Sequence, residues 1–203
     1  MGGFLLSTAV VAIAEIGDKT QLLAFLLAAR FRAPVPVIFG ILGATLANHA
    51  LAAVAGVTLA AWLQSSALTW ALGLSFLVMA LWTLKPDHLE EKELPQRRRW
   101  GAFLATLVAF FFVEMGDKTQ VATMALAAHF QHLLAVTAGS TLGMMLANVP
   151  AVLLGDRAAG RLPLRTIRSG AACLFAVMGV AVLLQASGVW EADGPRLATA
   201  LLP

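Results

Sequence analysis

The chain has 203 residues, 60% hydrophobic and 12% charged, a balance too apolar for an ordinary soluble domain of this length. A net charge of +3 and a pI near 9.6 would suit a nucleic-acid partner. The basic residues, however, fall in short breaks between apolar runs, where membrane loops account for them and nucleic acid is not needed.

The N-terminal MGGFLLSTAV has no Lys or Arg ahead of its apolar run, and Leu6 stands where a myristoylation signal needs Ser or Thr. It reads as the start of a first span rather than a cleaved signal. Six candidate spans follow in order, about 4–29, 37–62, 67–84, 101–128, 133–155 and 169–190. Each is long enough for a hydrocarbon core of about 30 Å. The breaks between them are RFRAP at 30–34, QSS at 64–66, KPDHLEEKELPQRRR at 85–99, HFQH at 129–132 and DRAAGRLPLRTIR at 156–168. The expected fold is an all-α membrane protein. Residues 1–84 form a first three-helix repeat, 85–100 a charged cytoplasmic linker, 101–190 a second three-helix repeat and 191–203 a short external tail.

Orientation follows from the basic residues. Breaks one, three and five hold Arg30, Arg32, Lys85, Lys92, Arg97, Arg98, Arg99, Arg157, Arg161, Arg165 and Arg168, whereas the other face holds Arg196 alone. That imbalance predicts cytoplasmic charged loops and both termini outside.

The chain also repeats itself. An offset of 99 aligns Glu15-Ile16-Gly17-Asp18-Lys19-Thr20-Gln21 with Glu114-Met115-Gly116-Asp117-Lys118-Thr119-Gln120, identical at six of seven positions. Gly40 aligns with Gly139, and after a one-residue slip LGATLAN at 42–48 aligns with LGMMLAN at 142–148. Each half has an odd number of spans, so the halves face opposite ways across the bilayer, an architecture common in secondary transporters.

Of eleven acidic residues, seven lie in loops or the tail; the other four are Glu15, Asp18, Glu114 and Asp117. Glu15 is about 17 Å along its span, near the bilayer midplane. An ionisable group there costs roughly 2.5–3.5 kcal/mol, so these residues are expected to face a polar interior. Their spacing puts Glu15, Asp18 and Lys19 on one helical face, which Gln21 extends, as do Glu114, Asp117, Lys118 and Gln120. If spans one and four cross antiparallel, four carboxylates converge at one site. Gly17 and Gly116 either let the backbones approach closely or let the helix open to present carbonyl oxygens.

Four carboxylates, with Thr20, Thr119, Gln21 and Gln120, make an oxygen-rich donor set suited to Ca²⁺, Mn²⁺ or Mg²⁺. No thiolate is at hand, and imidazole could come only from His49. Crowded, buried carboxylates also take up protons readily, so the same pocket can exchange cation for protons. An ammonium cannot ligate a cation, so Lys19 and Lys118 are assigned to charge balance. No resident cofactor is called for; the expected partners are a divalent metal ion, protons and the lipid bilayer.

A doubled E-x-G-D-[KR]-[ST], each copy opening a three-helix half, resembles the membrane family once called uncharacterised protein family sixteen. That family includes the Golgi transmembrane protein linked to manganese homeostasis and its bacterial relatives. The resemblance covers nearly the whole chain and implies Mn²⁺ or Ca²⁺ transport in exchange for protons, with bacterial members exporting manganese. It carries the functional roles to Glu15, Gly17, Asp18, Lys19 and Thr20 and to Glu114, Gly116, Asp117, Lys118 and Thr119. Eukaryotic members carry extra N-terminal sequence lacking here, which favours a compact bacterial form in the cytoplasmic (inner) membrane.

Weaker signals complete the reading. Asn48 and Asn148 match across the repeat; they either add amide oxygens to the site or bond helix to helix. His49, opposite Val149, reads as a hydrogen-bonded interior residue, and His129 and His132 as interfacial. Pro150 reads as a kink, and Gly40, Gly43, Ala44 and Ala47 as a close-packing stripe. The lone Cys173 excludes an internal disulfide and reads as a small buried packing residue. Two alternatives to cation transport are an exporter of a small organic solute such as an amino acid, contacted by Lys19 and Lys118, and a non-transporting assembly factor. An enzyme is not indicated: the chain has no nucleophile–base pair, phosphate loop or H-E-x-x-H motif.

Overall fold

A computed structural model describes residues 1–63, 65–85, 101–154 and 164–187. The linker beyond Lys85, the loop at 155–163 and the tail, on which several sequence expectations fall, lie outside the described residues. Among the described residues the chain is all-helical, with α1 Gly2–Glu15, α2 Lys19–Phe31, α3 Pro34–Trp62, α4 Ser65–Leu84, α5 Gly101–Glu114, α6 Lys118–Phe130, α7 Leu133–Leu154 and α8 Leu164–Ala186. No strand occurs among them. Four helices, α3, α4, α7 and α8, are long and apolar enough to cross a membrane.

The departure from six continuous spans lies in the first and fourth. Each is two helices, broken at residues 16–18 and at 115–117. The cause is local. Gly17 and Gly116 adopt φ of 81° and 79°, a left-handed conformation in which a helix cannot continue. Asp18 and Asp117 are extended, with ψ of 169° and 165°, and serve as N-caps of α2 and α6. At 14 residues, α1 and α5 are each about 21 Å long, short of a hydrocarbon core unless their partners α2 and α6 complete the crossing.

The two halves use the same stops. Arg32 and Gln131, 99 positions apart, are both left-handed (φ 49° and 53°), and each donates its N–H to the carbonyl four residues back, at Ala28 and Ala127. Pro34 then opens α3, a first-turn position where its missing N–H removes no bond. Pro150 lies inside α7, which continues through it to Leu154.

Packing crosses between the halves. α1 lies chiefly on α7, α5 on α3 and α6 on α3, while α4 and α8 pair with each other. Small residues set these approaches. A methyl at Gly40 would come within 2.7 Å of the Phe103 carbonyl on α5, and Gly139 abuts the Phe4 carbonyl on α1, both partners related by the same offset of 99. The Gly40 end of the small-residue stripe is therefore a helix contact. On α4 and α8, Gly73 and Gly179 face one another, and Phe76 stacks on Phe175 with ring centroids 6.4 Å apart. One apolar cluster centres on Val10, Phe76, Leu126 and Phe175, and a second on Leu23, Ile41 and Phe110. Large apolar side chains such as Leu51, Val78, Leu81 and Val177 remain exposed on the outer faces, as a lipid-facing surface requires. Cys173 is a correction: it is exposed, because α8 turns Ala171, Ala172 and Phe175 inward and leaves Cys173 on its outer side.

Candidate functional site

The broken helices bring the two motifs together. Glu15 ends α1 and Asp18 caps α2; Glu114 and Asp117 hold the same places on α5 and α6. The single helical face expected for Glu15, Asp18 and Lys19 therefore does not exist, because Gly17 turns the chain between the first acid and the second. Of the two roles open to the glycines, local opening of the helix is the one seen. All four acids are buried, Glu15 and Glu114 completely.

Hydrogen bonds hold each break open. Gly17 donates its N–H to Gln21 Oε1 at 2.9 Å, and Gly116 donates to Gln120 Oε1 at 2.6 Å. Asp18 and Asp117 donate their N–H to the carbonyls of Glu15 and Glu114 at 3.0 and 3.1 Å. The glutamines thus turn back onto the backbone and do not extend a ligand face. Gln21 also donates Nε2 to the Ala147 carbonyl on α7 at 3.0 Å, tying the first break to the other half.

The carboxylates are held from both halves. The hydroxyl of Thr20 donates to Glu15, and Thr119 faces Glu114 at 3.3 Å and Asp117 at 3.5 Å. Asn148 donates Nδ2 to Glu15 Oε1 at 3.0 Å, reaching from α7 to the end of α1. Asn48 instead donates to the Phe111 carbonyl on α5 at 2.9 Å, a helix-to-helix bond. The matched asparagines thus do different work, one toward a motif carboxylate through nitrogen and one toward backbone.

The lysines pair crosswise. Lys118 Nζ lies 2.7 Å from Asp18 Oδ1, and Lys19 Nζ lies 3.3 Å from Asp117 Oδ1, so each motif's lysine serves the other motif's aspartate. Among the described residues no three His, Cys, Asp or Glu side chains stand close enough to grip one metal ion in this arrangement. Several oxygens able to ligate a cation are nonetheless buried without a hydrogen-bond partner: Glu15 Oε2, Glu114 Oε1 and the amide oxygens of Asn48 and Asn148.

Two features escaped the sequence reading. His49 is fully buried as expected, but neither ring nitrogen has a hydrogen-bond partner, and Nε2 stands 3.8 Å from Glu114 Oε2. Ser7 and Thr106, related by the offset of 99, are both fully buried with unpartnered hydroxyls two turns before the glutamates. The repeat alignment contained that signal, a hydroxyl at equivalent places in two apolar helices. His129 sits in an edge-to-face contact with Phe130, and His132 Nδ1 accepts a 3.4 Å bond from the Ala135 N–H at the start of α7, so neither joins the site.

Comparison with known proteins places these motifs in a family context. The model of a family described as divalent cation/proton antiporter GDT1 matches residues 3–91 and 102–190. A protein of Vibrio cholerae described as "Putative manganese exporter" is 52% identical over 177 residues, covering 87% of this chain and 88% of that one. A GDT1-like protein of Synechocystis is 29% identical over 191 residues, 84% of this chain and 91% of its own. GDT1-like protein 5 of Arabidopsis thaliana is 27% identical over 224 residues, 90% and 95% of the two chains. No solved structure matches the chain. The resemblance carried by the doubled motif is borne out.

Proposed function

The chain belongs to the GDT1 family of divalent cation/proton antiporters, and on that premise we propose that it exports Mn²⁺ from the cytoplasm in exchange for protons, through a site built from Glu15, Asp18, Glu114 and Asp117. The observation that carries this reading is the crosswise meeting of the motifs. Asp18 and Lys118, 100 positions apart, touch in a buried setting, so polar groups of both copies meet. Groups of that kind inside a membrane protein are functional by default.

The chemistry follows from which groups can share a carboxylate. Lys118 and a divalent cation are alternatives at Asp18, and Lys19 and a cation are alternatives at Asp117. Loading draws the aspartates off the lysines and gathers them with the unpartnered oxygens of Glu15 and Glu114. Protonation of the same oxygens removes their charge and releases the ion, so one set of atoms takes either cargo but not both. Half-helix ends at the centre of a transporter are suited to such sites, because the broken backbone faces the cavity rather than lipid. The donor set also fits Ca²⁺. Engagement of both lysines by aspartates speaks against their use in binding the carboxylate of an organic solute.

The layout we propose is six crossings in two inverted halves, with α1–α2 and α5–α6 each forming one broken crossing. Support comes from the two stretches that match the family model, the reciprocal packing of α1 on α7 and α5 on α3, and the repeated Gly40–Phe103 and Gly139–Phe4 contacts. The excess of Lys and Arg in alternate breaks supports external termini in a bacterial inner membrane.

The test is flux. In vesicles under a pH gradient, Glu15→Gln and Asp117→Asn each abolish Mn²⁺ flux while leaving the protein folded. Full transport by the double variant Glu15→Gln, Glu114→Gln overturns the assignment.

A further inference from the structure

We propose that His49 is a direct ligand of the transported cation and that its imidazole nitrogen selects Mn²⁺ over Ca²⁺ and Mg²⁺. The proposal deepens the carboxylate-site reading above and rests on it.

His49 is fully buried on α3, and both Nδ1 and Nε2 lack a hydrogen-bond partner. A buried imidazole that bonds to nothing forfeits its hydration without return, so such a group needs an explanation. The neighbouring group is Glu114, whose Oε2 lies 3.8 Å from Nε2 and whose Oε1 is itself buried and unpartnered. That separation is too long for a hydrogen bond. It lies within the reach of two donors on one ion, which, at about 2.1–2.4 Å each from the metal, stand up to about 4.8 Å apart. The position is also fixed. Asn48, the preceding residue, donates to the Phe111 carbonyl one turn before Glu114, and this bond sets the register of α3 on α5.

The second half has no equivalent, since Val149 stands where the repeat would place a histidine. Glu15 is met there by Asn148, while its Thr20 bond has a counterpart in Thr119 at Glu114. The centre is therefore lopsided, with oxygens on both sides and one nitrogen donor beside Glu114. Ca²⁺ and Mg²⁺ take oxygen ligands, whereas first-row transition metals accept imidazole. An all-oxygen set would leave Mn²⁺ and Ca²⁺ poorly resolved; one nitrogen tips the balance to Mn²⁺.

The experiment loads the full-length protein with Mn²⁺ in detergent and records electron spin-echo envelope modulation, which registers a nitrogen nucleus bound to the metal. Competition of Ca²⁺ and Mg²⁺ with Mn²⁺ flux is measured in liposomes alongside. The wild-type protein shows nitrogen modulation; His49→Val and His49→Gln both lose it. Even groups behind the ligands are worth roughly 10–100-fold in metal affinity, so in both variants the preference for Mn²⁺ over Ca²⁺ falls by at least about tenfold. Mn²⁺ binding without nitrogen modulation in the wild type overturns the proposal, whether or not any variant folds. An unchanged Mn²⁺-to-Ca²⁺ preference in His49→Gln also overturns it and leaves His49 as packing, even if total flux drops. Mn²⁺ transport that survives Glu114→Gln undoes the underlying carboxylate reading instead, which separates the two failures.

Discussion

Lys118 and Asp18 stand 2.7 Å apart although they belong to different copies of the motif, and both are buried. Removing one member of a buried ion pair strands the other at a cost of about 3–5 kcal/mol. Lys118→Met is therefore expected to lower the melting temperature of the protein without divalent cation. Added Mn²⁺ should restore much of the loss, because the cation neutralises the carboxylate the lysine has left. Thermal melts with and without Mn²⁺ check this; equal destabilisation in both would mean that Asp18 and the metal do not meet.

Gly116 isolates the backbone contribution of the break. A Cβ added there meets no atom within 4 Å, so any effect of Gly116→Ala comes from its φ of 79°. The left-handed conformation costs a β-carbon about 1–2 kcal/mol, and asparagine tolerates it better than alanine. We expect Gly116→Ala to lose stability and transport together and Gly116→Asn to recover part of both. Paired melts and flux assays on the two variants decide the point.

Gln21 joins the first break to α7 through two bonds, from the Gly17 N–H and to the Ala147 carbonyl. Gln21→Leu fills similar space but leaves the Gly17 N–H without its acceptor, a loss of about 1–3 kcal/mol. Gln21→Glu keeps that acceptor and gives up the donor to Ala147. Leucine should therefore impair both folding and flux, and glutamate should show which of the two bonds carries the effect.

At the helix contacts, Gly143 lies against α1 so closely that a methyl would come within 2.5 Å of the Thr8 carbonyl and 2.9 Å of the Ala12 N–H. These neighbours are backbone and cannot move aside as a side chain would. Gly143→Ala should cost about 1–3 kcal/mol through overpacking. Gly170→Ala, at a glycine with open space around it, serves as the control. Differential stability of the two variants in detergent measures the contact.

The acids, the repeat and the small-residue contacts were legible because each is an exception to an apolar background. Four carboxylates and two lysines inside lipid-soluble runs have no structural excuse. The breaks were harder to see. Glu15, Asp18 and Lys19 have spacings that also fit a helical face, so periodicity alone argued for a continuous helix. Only the φ of Gly17 decides between the two, and that torsion depends on Gln21 being free to turn back. The crossed lysine–aspartate pairs join positions about a hundred apart, which no local pattern encodes. His49 is interior as its sequence context implies, but a buried histidine is ordinarily bonded, and the lack of a partner appears only when α3 is seated on α5.

The exchange of partners between halves has a bearing on biogenesis. The surface of α1 is completed by α7, whose first residue follows the end of α1 by more than a hundred positions. Chain order alone means that α1 is made before Asn148, which donates to Glu15 in the folded protein. A product that stops before α7 therefore lacks both the surface that covers α1 and the amide that meets Glu15, and cannot be a working half.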